Sequence, residues 1–239
     1  MPKLEISKVH DAYGNPGECP LCLLEQDAER TYLRSFQHSR VMEPNVRVQT
    51  NRQGFCPDHY RKLYDGENKL GLGLVVHTHL QQLRPELNAA LDALMKSAGS
   101  RNRKDQAAAA AAALAGRRDS CFVCGMLRAD MQRYIATILY LWNKDPEFAP
   151  VFRASRGFCI PHFAQALEQA STAMRPDRFE RWLAATIPLM KEALDSLEGD
   201  LHAFTQLHQA GSTGLGTDRE RSALGRTFQK LAGGMFGGR

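Results

Sequence analysis

Apolar side chains recur at three- and four-residue steps through most of this chain. Leu21, Leu24, Ala28, Tyr32 and Phe36 form one such stripe with charge between them, the period of an amphipathic helix. Pro44 and Asn45 break it, and Val46, Val48 and Thr50 read as a short extended or irregular link. A second helix is predicted from Cys56 to about Tyr64. Leu70, Leu72, Leu74, Val75, Val76, Leu80 and Leu83 predict a well-buried helix, kinked or restarted at Pro85 and continued by Leu87, Leu91 and Met95. Met126, Leu127, Met131, Tyr134, Ile135, Ile138, Leu139, Leu141 and Trp142 predict a strongly apolar helix that Asp145-Pro146 ends. Phe148, Val151 and Phe152 pack a connecting segment. A helix then opens at Cys159, and a long last one runs from Phe179 to Leu197, bent at Pro188 and extended by His202 to His208. No stretch alternates apolar and polar with period two, so the expected fold class is all-α.

The pattern divides the chain. Ser97 to Lys104 is small, polar and basic, the composition of a linker, and the seven alanines from Ala107 to Ala113 predict a spacer helix that cannot anchor a core. The expected organisation is a first helical repeat over 1–98, a linker with a poly-alanine helix over 99–118, a second repeat over 119–210 and a glycine-rich tail over 211–239. In that tail, Ala223, Leu224, Phe228 and Leu231 could form one short amphipathic helix that docks back.

Each half carries the same chemical grammar. Cys19-Pro20-Leu21-Cys22 is followed by Gly54-Phe55-Cys56-Pro57-Asp58-His59, and Cys121-Phe122-Val123-Cys124 by Gly157-Phe158-Cys159-Ile160-Pro161-His162. The gap from Cys22 to Cys56 is 33 residues and that from Cys124 to Cys159 is 34. All six cysteines fall within these motifs. A CxxC turn can aim two thiolates at one ion, and a CxxH in the first turn of a helix puts both ligands on one face. Two such pairs make a Cys3His set. The near-equal gaps favour pairing within each repeat: Cys19, Cys22, Cys56 and His59 in one site, Cys121, Cys124, Cys159 and His162 in the other. Cross-pairing of the motifs is the alternative. Four ligands leave no open position, which suits a structural Zn²⁺, two per chain; iron–sulfur clusters are the alternative cofactor. Redox dithiols without metal and inert buried cysteines are other readings of the same residues, and an iron–sulfur redox protein or a thiol redox sensor in which oxidation ejects zinc are the functional alternatives to an adaptor. The glycine before each Phe-Cys predicts a positive-φ entry to the helix, and Phe55 and Phe158 are expected to wedge into the core.

The other histidines add little. His77 and His79 are two residues apart on a helix, so their side chains diverge, and they read as core or interface groups. His38, His202 and His208 read as surface or hydrogen-bonded residues. No GxGxxG, P-loop, HExxH or GxSxG motif is present, and no catalytic residue is assigned.

Charge changes the picture only slightly. A net charge of +5, from 31 basic and 26 acidic residues, permits an anionic partner such as nucleic acid without arguing for one. A protein partner is the expectation. No run of about 18 apolar residues suggests a membrane span, and Met1 to Ile6 lacks the apolar core of a secretory signal. The cytoplasm, where thiols stay reduced, is the expected compartment.

Several segments together resemble a bacterial family known only as a domain of unknown function. They are Met42 to Arg47, Gly54 to Tyr60, Asn68 to Leu72, His77 to Leu80, Tyr140 to Trp142, Glu147-Phe148, Gly157 to Phe163 and Gln229 to Leu231. The resemblance spans nearly the whole chain, with the poly-alanine insert as a departure. It implies that both CxxC/CxxH sets belong to one shared architecture and supplies no reaction.

Overall fold

The computed structural model describes residues 5–116, 120–207 and 216–236. Among these, twelve α-helices and one short 3-10 turn account for the regular structure, and no strand occurs. The chain is all-α.

The helices are α1 (Ile6–Tyr13), α2 (Pro20–Gln37), α3 (Pro44–Gln53), α4 (Pro57–Asp65), α5 (Lys69–Lys96), α6 (Arg103–Gly116) and α7 (Phe122–Lys144). They continue with α8 (Phe148–Ala154), α9 (Ile160–Ala173), α10 (Pro176–Leu207), α11 (Asp218–Arg221) and α12 (Ala223–Ala232). They form two compact units, one of residues 1–28 with 129–239 and one of residues 29–128. These are not the sequential units expected at 1–98 and 119–210. Both boundaries fall inside long helices, α2 and α7, and not in the Ser97–Lys104 linker.

The first unit holds an aromatic-rich core. Phe148, Phe152, Phe158 and Trp182 are fully buried and pack with Ile135, Ile138 and Leu21. Tyr13 meets Phe148 edge-on at 5.0 Å between ring centroids, and Phe152 lies 6.0 Å from Phe158. Each such ring removed from water contributes about 1.5–3 kcal/mol. Beside this core lies a buried charge network. The Glu18 carboxylate meets Arg156, Arg226 at 3.1 Å and Lys230 at 3.5 Å, and Arg226 also bonds Asp200 at 2.6 Å. Arg226 and Lys230 are the cations brought in by α12.

That helix docks back as expected, but not by the predicted face. Ala223 is buried, whereas Leu224, Phe228 and Leu231 are exposed and Lys230 points inward. Amphipathic spacing alone cannot foresee this, because the acceptors for the ammonium are carbonyls remote in sequence.

The second unit is built around Phe36, with Phe55 and Phe122 set edge-on to it at 5.6 and 5.7 Å. The predicted extended link from Val46 to Thr50 is helix α3. Pro44 begins that helix at its first turn, where its missing N–H costs nothing, and Val46 and Thr50 bury one face. The prediction for α5 also needs correction. Gly71 and Val75 are its buried residues, while Leu70, Leu80, Leu91 and Met95 are exposed. The helix runs through Pro85 without ending, as α10 runs through Pro188. The segment around Phe148 is helical too, as α8. The poly-alanine stretch forms α6, as propensity predicts.

Candidate metal centres

The four motif fragments share one local design: each sits at the start of a helix. Cys19 and Cys121 immediately precede α2 and α7, placing Cys22 and Cys124 in the first turns. Cys56 and Cys159 are the extended N-cap residues of α4 and α9, with a proline in the first turn of each and His59 and His162 one turn in. Helix N-termini carry partial positive charge and unpaired N–H groups, which stabilise thiolate. The preceding glycines have the predicted positive φ, 60° at Gly54 and 68° at Gly157. A Cβ at Gly54 would lie 2.6 Å from His79 Nε2, and one at Gly157 2.8 Å from Met190 Sδ, so both positions need glycine for space as well as for backbone angle.

The structure then brings the fragments together in a crossed order. Cys19 and Cys22 meet Cys159 and His162, and Cys56 and His59 meet Cys121 and Cys124. The pairing within repeats, Cys19/Cys22 with Cys56/His59 and Cys121/Cys124 with Cys159/His162, is therefore not the one adopted. The clusters are nested in sequence, and we call them outer and inner. Each lies within a single compact unit. The 33 residues after Cys22 run through α2 and α3 rather than looping directly back, and α2 alone is 18 residues long, about 27 Å. In the inner cluster the crossing is tied by backbone: Phe122 N–H donates to the Gly54 carbonyl at 3.0 Å.

In each cluster the four candidate ligand atoms lie within 4.8 Å of one another. In the outer one, His162 Nδ1 is 3.1 Å from Cys159 Sγ and 3.5 Å from both Cys19 and Cys22 Sγ, and Cys22 and Cys159 Sγ are 3.6 Å apart. In the inner one, His59 Nδ1 is 3.1 Å from Cys56, 3.3 Å from Cys121 and 3.4 Å from Cys124 Sγ, with Cys56 and Cys124 Sγ at 3.8 Å. The cysteines are all free thiols. Each set could hold a metal ion.

Two carboxylates complete the histidines, and the sequence reading missed both. His59 Nε2 lies 3.0 Å from Glu29 Oε1, and His162 Nε2 lies 3.4 Å from Glu25 Oε2. A carboxylate behind the second ring nitrogen fixes which nitrogen faces the ligands and raises its basicity. Glu25 and Glu29 are one turn apart on α2 and look, in sequence, like the solvated face of an amphipathic helix. Their placement three and seven residues after Cys22 is the only signal. The counterparts after Cys124 are Leu127 and Met131, so the two halves differ here.

Electrostatics favour a cation at each centre. Burial alone would lower the His59 imidazole, but its hydrogen bonds to Cys121 and Glu29 outweigh that and hold it up to about 10. His162 is likewise raised well above its ordinary value, against burial, by Cys159, Cys19, Cys22 and Glu25. The hydrogen bond from His59 holds Glu29 down to about 2, with Lys62, 2.7 Å away, assisting. Burial raises the Cys121 thiol, yet the hydrogen bond with His59 and the backbone N–H groups of Cys124 and Cys56 bring it below its ordinary value.

The outer cluster has a further neighbour. The Lys230 ammonium, itself fully buried, donates to the carbonyls of Glu18 at 3.0 Å, Arg156 at 2.7 Å and Phe158 at 3.3 Å. Glu18 and Phe158 directly precede Cys19 and Cys159, so one side chain fastens both halves of the cluster. Burial lowers its pKa, opposed by the charge of Glu18 and of Cys19 and Cys159.

A family model matches residues 2–237. The chain belongs to that family, a family of unknown function (DUF6062). No curated protein and no solved structure matches it. Of the remaining histidines of this DUF6062 chain, His79 contacts the Asn51 carbonyl through Nδ1 at 2.7 Å and covers Gly54. His38, His77 and His202 are exposed, and His208 lies outside the described residues. Among the described residues, no helix is long and apolar enough to cross a membrane.

Proposed function

We propose that this chain is a zinc protein, with one Zn²⁺ held structurally in each Cys3His cluster, that serves as an adaptor for a protein partner in a reducing compartment such as the cytoplasm. The observation that carries the zinc reading is the spacing of the ligand atoms. Zn–S bonds of about 2.3 Å and Zn–N bonds of about 2.0 Å define a tetrahedron with S···S edges near 3.8 Å and S···N edges near 3.5 Å. The Sγ–Sγ separations of 3.6 and 3.8 Å, with Nδ1–Sγ separations from 3.1 to 3.5 Å, suit one ion per cluster. An iron–sulfur cluster, with several irons bridged by sulfide, spreads its thiolates much farther apart. Zn²⁺ and three thiolates leave one net negative charge, which the helix N-termini and, in the outer cluster, Lys230 offset.

Elemental analysis of chain purified without oxygen or added metal tests this reading. Two zinc per chain are expected; iron with acid-labile sulfide would overturn it.

The adaptor reading draws on α5, whose exposed Leu70, Leu80, Leu91 and Met95 offer a protein partner apolar contact area. Leu80→Glu with Leu91→Glu alters that face without changing any candidate ligand. A partner bound by the wild-type chain and lost with this variant supports the surface; a partner equally bound by both counts against it.

A further inference from the structure

We propose that the inner cluster is a redox-labile site, in which peroxide joins Cys56 to Cys124 in a disulfide and discharges the inner zinc while the outer zinc stays. This rests on the zinc reading above and adds a chemical difference between the two ions.

The difference begins with access. All four outer ligands are buried: Cys19, Cys22 and Cys159 are exposed by 2%, 1% and 0%, and His162 by 3%. Helix α12 packs against α9, which starts beside Cys159. Gly233 lies so close that a Cβ there would sit 3.6 Å from Cys159 Sγ, and Lys230 bonds the carbonyls just before Cys19 and Cys159. In the inner cluster Cys121 and His59 are buried, but Cys56 and Cys124 are both partly exposed. These two come from different motifs, and their sulfurs are 3.8 Å apart. They are thus the two thiolates that a small oxidant reaches and that can join with little movement. Among the described residues no buried ammonium covers them; Lys62, the nearby cation, is occupied with Glu29 at 2.7 Å.

The chemistry balances with hydrogen peroxide as the oxidant. One thiolate attacks a peroxide oxygen, the O–O bond breaks, and hydroxide leaves, giving a sulfenic acid. The second thiolate attacks that sulfur, the S–S bond forms, the S–O bond breaks, and a second hydroxide leaves with the sulfenic oxygen and proton; two protons from solvent convert the hydroxides to water. The two sulfurs lose two electrons and the peroxide gains two. The ion then keeps only Cys121 and His59, too few ligands to hold it. A thiol reductant reverses the step and restores all four ligands.

The test uses the full zinc-loaded chain, with metal content measured first. One to two equivalents of peroxide are added, zinc release is followed with a chromogenic chelator, and disulfides are mapped by mass spectrometry without reduction. The expected result is one zinc released per chain, on the order of tenfold faster than the second, with Cys56 linked to Cys124 and rebinding after reduction. Mapping on the wild-type chain avoids variants that fail to fold. Simultaneous loss of both ions, earlier oxidation of Cys19, Cys22 or Cys159, or no release would overturn the proposal while leaving the zinc reading intact. A starting content of iron instead of zinc would overturn the zinc reading and this proposal with it.

Discussion

The outer and inner clusters are made of the same fragments, yet their surroundings differ. The outer one lies beside an aromatic core and is closed by a buried lysine that reaches it from 212 residues beyond Glu18. The inner one has two partly exposed thiols and a histidine braced by a carboxylate whose own cation, Lys62, is half in solvent. Ligand identity therefore does not set how strongly a site is insulated. Insulation comes from what else must be desolvated with it. A buried anionic centre needs a buried cation with all its donors used, and Lys230 meets that need with three carbonyls and Glu18.

The comparison breaks most completely at the ligands. Cys159→Ser should cost the outer ion and, with it, the packing of Phe148, Phe152 and Phe158; structural zinc contributes about 10–16 kcal/mol to small domains that depend on it. Cys56→Ser should remove one zinc but leave the aromatic core of the first unit folded. Zinc content and near-UV circular dichroism of the two variants would show this, and equal damage by both would contradict the asymmetry.

Lys230→Met comes next. It leaves the carbonyls of Glu18, Arg156 and Phe158 without their buried donor, while the Glu18 carboxylate keeps Arg156 and Arg226, a loss of about 1–3 kcal/mol. The outer zinc should be extracted more readily by a chelator, with the inner zinc unaffected. Equal change at both sites in a competition experiment would remove Lys230 from its role.

Effects of similar size are expected at the glycines. Gly54→Ala and Gly157→Ala combine positive φ with a Cβ too close to His79 or Met190, at about 1–3 kcal/mol each. Chemical denaturation should register both, and no change in midpoint would mean that the helix entries relax freely.

The carboxylates behind the histidines sharpen the comparison most finely. Glu29→Gln and Glu25→Gln should each weaken zinc binding by about 10- to 100-fold at their own cluster, with the larger effect at Glu29, which sits 3.0 Å rather than 3.4 Å from its histidine. Acidity adds a signature. The Glu29 carboxyl is held at about 2, below its ordinary 4.5, so its contribution is present above pH 4.5 and lost as pH falls from there towards 2. Metal-stripped wild type should lose stability across that window more steeply than metal-stripped Glu29→Gln, and parallel unfolding curves would contradict this.

Much of this was readable from residues alone. Cysteine and histidine are restricted to few chemical roles, so a CxxC and a GFCxxH in each half mark the candidate ligands without a structure. The i, i+3 spacing of Cys56 with His59 and of Cys159 with His162 places them on helix starts by geometry. Glycine at 54 and 157 announces its backbone angle because few other residues adopt it. The helical period of α2 and α7 likewise declares an all-α chain.

What the tertiary structure decided is which fragments meet and what surrounds them. Equal gaps of 33 and 34 residues show that a pattern recurs, but a gap spent on rigid helix carries the chain away from its starting motif, so the pairing is settled by packing. The unit boundaries inside α2 and α7 follow from the same fact. The inward turn of Lys230 and the exposure of α5 each reverse the local apolar pattern. A side chain's burial depends on partners distant in sequence, here the carbonyls of Glu18, Arg156 and Phe158, and local periodicity carries no information about them.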